Sequence, residues 1–134
     1  MTPDQIDLSR AAMALPGAPK PPKLPPYSRP IDVHMGASTR RDGAGLLWVD
    51  VAAEDSANYD WLPDISDAAT GGVLVAMLGF EARRLRPTAS MHKFNAGMRW
   101  RYADDEDGIS LWASTLGIAA CRVAIAVGRW EGGS

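Results

Sequence analysis

The chain has 134 residues, 46% of them hydrophobic and 22% charged, which is enough apolar material for one domain with its own core. A formal charge of -2 gives no overall basic field for nucleic acid and is too small for mimicry of DNA. Cys121 is the single cysteine, which excludes an intramolecular disulfide and a thiolate metal cluster and fits a reducing compartment. No basic-then-apolar leader opens the chain, and no apolar run reaches the roughly 18 residues of a membrane span.

Thr2, Pro3 and Gln5 read as a helix start, with a capping hydroxyl, proline at the first position and Gln three residues after the cap. Ile6, Leu8, Ala11, Ala12 and Leu15 continue it, and Pro16-Gly17 ends it. Seven of the fifteen residues from Pro16 to Pro30 are proline. Such a stretch is a stiff connection; its two Pro-x-x-Pro repeats are also the form of a groove ligand, but without the flanking basic residue.

Residues 31 to 37 alternate as a strand, with Ile31, Val33 and Met35 on one face. Arg40-Arg41-Asp42-Gly43 is expected to turn into a second strand, Leu46 to Ala52. Residues 54 to 60 are polar and loop-like. Pro63 disfavours helix at Leu62. Asp64 or Ser66 is the expected cap of a central helix whose stripe is Leu74, Met77, Leu78 and Leu85. That helix runs to Arg83, Arg84 and Arg86 before Pro87 stops it, with Gly79 as a point where it can break. The three arginines answer the negative end of the helix dipole, and the alternative role for them is a phosphate-binding patch.

The 17 residues from Leu62 to Leu78 read Leu-Pro-Asp-Ile-Ser-Asp-Ala-Ala-Thr-Gly-Gly-Val-Leu-Val-Ala-Met-Leu. This segment resembles the signature of the phage ABA sandwich domain family of small phage and prophage proteins. The opening helix and the strand plus small-residue helix from Ile109 to Arg129 are similar as well. Ala68 departs from the pattern, where a proline is expected. So does the last helix, which lacks the usual initial acidic residue, and the proline-rich stretch is atypical. The resemblance implies helices on both sides of a sheet and a phage or prophage setting in the host cytoplasm. It implies no reaction.

Ser90 to Phe94 and Met98 to Tyr102 read as strands around a glycine-bearing turn, Asn95-Ala96-Gly97. In the second, Met98, Trp100 and Tyr102 share one face and Arg99 and Arg101 the other. The acidic run 104 to 108 is a solvated turn, since its spacing fails the calcium-loop pattern. Ile109 to Ala113 is the last strand, with Leu111 and Trp112 its bulky members. Ser114 or Thr115 caps a final helix of small apolar residues interrupted by Arg122 and Arg129, with Trp130 closing its end.

Cys121 sits among alanine and valine in that helix and reads as a packed small hydrophobe. His34 and His92 have no metal-site spacing, and neither a phosphate loop nor a nucleophile elbow is present. The expected fold is an α+β sandwich in the order α-β-β-α-β-β-β-α. Its single antiparallel or mixed sheet has four to five strands with helices on the faces. The domain spans 1 to 134, with 16 to 30 as a connection and 131 to 134 as a frayed tail. The expected role is that of a phage accessory protein acting without catalysis or cofactor, through contacts with a host or phage protein. The alternative is nucleic-acid binding by Arg83, Arg84, Arg86, Arg99, Trp100 and Arg101.

Overall fold

The computed structural model describes residues 1–21, 39–52, 59–92, 95–104 and 109–132. The first helix, α1 (Pro3–Met13), opens on the expected capping box. The Thr2 hydroxyl accepts from the Gln5 amide at 3.2 Å, and the Thr2 amide donates to Gln5 Oε1 at 3.0 Å. Helix α1 buries Ser9 and Ala12, and the Ser9 hydroxyl donates to the Pro63 carbonyl at 3.0 Å.

Strands β1 (Thr39–Arg41), β2 (Leu47–Ala52) and β3 (Tyr59–Pro63) form a three-stranded antiparallel sheet. The strand expected over 31–37 lies outside the described residues. Arg40 and Arg41, expected in a turn, extend instead in β1, and the turn is the five-residue loop 42–46. Tyr59 and Asp60, expected in a loop, start β3, where Val49 faces Leu62 and Asp50 faces Trp61. Burial of Leu62 against the sheet outweighs the polar character of the residues before it. Pro63 closes β3, and the ladder passes on through the Asp64 amide, which donates to the Leu47 carbonyl at 2.8 Å.

Helix α2 is Ala68–Met77, and its cap is Asp67 rather than Asp64 or Ser66. Asp64 is occupied in a local turn, accepting from both the amide and the hydroxyl of Ser66. Leu74 and Leu78 are buried as the stripe requires, at 0% and 1% exposure. The helix does not run to Arg86. Gly79 takes a left-handed conformation (φ +63°) that an L side chain rarely adopts, and a short 3-10 helix follows over Gly79–Arg84. Leu85 therefore belongs to a strand.

That strand is β4 (Leu85–His92), which pairs with β5 (Asn95–Asp104), which pairs with β6 (Ile109–Ala113), all antiparallel. Pro87 sits inside the edge strand β4 rather than stopping a helix, a place where its missing amide is tolerated. Asn95, Ala96 and Gly97, expected as the turn, are already paired in β5. Among the described residues there are thus two three-stranded sheets instead of one sheet of four to five strands, and neither β1 nor β3 is among the expected strands.

Helix α3 (Leu116–Val127) is capped by Thr115 and is the most buried element, hiding Gly117 to Cys121, Val123 and Ala124. It packs on α1, α2, β5 and β6. Close approach explains its small residues: a Cβ at Gly117 would overlap the Ile65 carbonyl, and one at Gly71 of α2 would lie 2.9 Å from the Gly117 nitrogen. The Thr115 hydroxyl donates to the same Ile65 carbonyl at 2.9 Å. Trp130 is buried after the helix; its indole N–H donates to the Ala12 carbonyl at 2.9 Å, fastening the chain end to α1. No helix among the described residues is long and apolar enough to cross a membrane.

Candidate functional site

The alternation read in β5 is present. Tyr102 is buried at 1% exposure and Trp100 packs against the core, so Arg99 and Arg101 turn to the opposite, outward side. Strand register extends that outward side across the sheet. Arg86 of β4 and Trp112 of β6 both lie directly opposite Arg101, and Thr88 lies opposite Arg99. Directly opposed residues share a face, so Arg86, Arg101 and Trp112 form a row and Arg99 stands one step along. The Arg101 guanidinium sits over the Trp112 ring at 5.4 Å, and Trp112 remains 41% exposed.

At the β6 edge this face meets helix α3. Arg122 reaches out of the helix and donates to the Trp112 carbonyl. Arg99, Trp112, Ala113, Ser114 and Arg122 line an open recess of about 300 Å³ there. Among the described residues neither Arg99 nor Arg122 is in a salt bridge with a carboxylate. Ser114 immediately precedes Thr115, the cap of α3, so the positive end of a 12-residue helix adjoins the recess.

Of the arginines singled out in the sequence, Arg86, Arg99 and Arg101 are brought together. Arg83 and Arg84 are not. Arg83 stacks over Phe80 at 5.1 Å, and Arg84 pairs with Glu81 at 3.4 Å. Glu81 also accepts from the Tyr102 hydroxyl at 2.7 Å, on the core side of the sheet. Burial, and then that bond to Glu81, push the Tyr102 hydroxyl above its ordinary pKa. Arg86 donates to the carbonyl of Arg83, at the end of the 3-10 helix, and to that of Leu85 at 2.9 Å, rather than facing the end of a long central helix. Trp100 belongs to the core, and the aromatic on the arginine face is Trp112. Alternation within one strand does not find Trp112 or Arg122, because each joins the site through a neighbour far along the chain.

No protein-family model, curated protein or solved structure matches this chain.

Other chemistry is thin among the described residues. Cys121 is fully buried, and burial pushes its thiol up to about 12, so it is not a nucleophile at neutral pH. His34 and the His92 side chain lie outside the described residues, as does the acidic run after Asp104. Among the described residues no group of three or more His, Cys, Asp or Glu is placed to hold a metal. A second cavity of about 540 Å³ lies between the end of α1 and the first sheet, lined by Met13, Leu15, Pro16, Pro19, Trp48 and Trp61.

Proposed function

We propose that this protein is a non-enzymatic binding protein whose second sheet takes single-stranded nucleic acid. One observation carries the reading: Arg86, Arg99 and Arg101 share the outward face with an exposed tryptophan, and Arg122 borders it. Guanidinium groups hold phosphates bidentately, and an exposed indole stacks on any base. Three strands about 4.8 Å apart make a narrow platform, suited to a strand with splayed bases rather than to duplex grooves. The charge of -2 supplies no long-range steering, so binding is local and of modest affinity. In the phage setting that residues 62–78 imply, such a protein is an accessory factor acting by contact rather than by reaction.

The test is fluorescence anisotropy with a labelled deoxythymidine oligomer across a salt series. Contacts from three to four arginines give a slope of log affinity against log salt of about -2 to -3. The double change Arg99→Ala with Arg101→Ala lowers affinity about tenfold or more, since each lost phosphate contact removes on the order of 1 kcal/mol. Absence of any salt-dependent binding to single strands defeats the reading. A protein partner is the second reading, supported by Ile125 of α3, which stays 40% exposed next to Arg122 and Ala126.

A further inference from the structure

Resting on the strand-binding reading, we infer that the recess beside β6 holds a terminal phosphate monoester, the phosphorylated end of a strand. The charges are the first reason. An internal phosphodiester carries one negative charge, whereas a monoester carries close to two at neutral pH, its second pKa being about 6. Two guanidiniums, those of Arg99 and Arg122, line this recess from different elements, and neither is in a salt bridge with a carboxylate among the described residues. Ser114 lines the same recess and brings a neutral hydroxyl to it.

Shape is the second reason. A groove that tracks a strand runs through, but this recess lies where the outward face of β5 and β6 ends on the start of α3. It is bounded by Ala113 and Ser114, and the helix begins two residues on, at Leu116. A chain end placed there meets both arginines at the border of the strand-binding face. The site is also held in place. The bond from Arg122 to the Trp112 carbonyl fixes one fork on the β6 edge, leaving its remaining donors for the ligand. Trp112, held by Arg101 at 5.4 Å, gives the recess a flat wall for the terminal nucleoside.

The experiment compares one deoxythymidine oligomer, internally labelled, with a 5′-phosphate, with a 3′-phosphate, and with hydroxyls at both ends. A phosphorylated end is expected to bind about tenfold more tightly, on the order of one extra charge-assisted contact. Arg99→Gln abolishes that preference, while Arg86→Gln weakens every oligomer by the same factor. On the unaltered protein the preference fades below about pH 6, as the monoester gains its proton. This arm needs no variant to fold. Thymidine monophosphate should compete better than inorganic phosphate, by roughly five- to a hundredfold for a stacked base. Equal competition by the two removes Trp112 from the site. Equal binding of all three oligomers overturns the end-specific inference and leaves strand binding intact, whereas no binding of any oligomer removes both.

Discussion

At the scale of single residues, Asp42 organises the hairpin between β1 and β2, and Asp67 ties that sheet to α2. One oxygen of Asp42 accepts from the amides of Ala44, Gly45 and Leu46 at 2.9–3.0 Å, and the other accepts from the Trp48 indole at 2.8 Å. Burial pushes its carboxyl up, but the bonds from Trp48 and the three amides outweigh it and hold the pKa below the ordinary 3.8. Asp67 is held low first by the bond from Arg41 at 3.2 Å and then by the Thr70 amide at 3.0 Å. Both pKa values are depressed by folding, so the stability they add is fully present above about pH 4 and is lost as pH falls through their folded values. Urea unfolding from pH 6 down to pH 2 should show a steep acid limb. Asp42→Asn with Asp67→Asn should flatten it, and an unchanged limb assigns acid sensitivity to other carboxyls. Asp42→Ala should cost about 1–3 kcal/mol even at pH 7, because it strands the N–H of Trp48, a side chain with 0% exposure.

At the scale of elements, the contact between α2 and α3 is set by glycine. Gly117→Ala forces a methyl into the backbone of Ile65 and should destabilise by at least about 2 kcal/mol. Gly72, one residue after Gly71 in the same helix, has nothing within 4 Å of a Cβ. There Gly72→Ala should stabilise by about 0.5–1 kcal/mol through helix propensity. Thermal melts of the two variants should move in opposite directions, and a shared direction would mean the helices are not in this contact. What was legible in the sequence follows the range of the interaction. The capping box at Thr2, the cap at Thr115, the strand Ile109–Ala113 and the buried Leu74 and Leu78 are decided by residues a few positions apart, and the structure has them. The cap at Asp67 was displaced because Arg41 and Thr70 gather on it, and Arg41 is 26 positions away. Strand β3 and the early start of β4 depend on partners in β2 and β5, so a polar or proline-bearing stretch does not announce them. The arginine face was legible by half for the same reason: alternation gives Arg99 and Arg101, but Trp112 enters only through pairing with β5.

For the whole molecule, α3 is the element on which α1, α2 and the second sheet all rest, and it also presents Arg122 to the recess. Cys121 stands in its centre at 0% exposure, with its thiol pushed by burial to about 12. A thiol reagent needs the thiolate and a path to it, so labelling requires α3 to leave its neighbours. If α3 moves only when the whole fold opens, the labelling rate of Cys121 should rise with urea in step with loss of helical circular dichroism. Gly117→Ala should accelerate it by about the factor that corresponds to its loss of stability, roughly tenfold for each 1.4 kcal/mol. Fast labelling in native buffer with the circular dichroism intact would show that α3 opens alone. In that event Arg122 would be a moving part, and the two guanidiniums of the recess would not be held ready for an anion. Slow labelling coupled to global unfolding leaves Arg99, Trp112 and Arg122 on one rigid frame, which charge complementarity at an open surface requires.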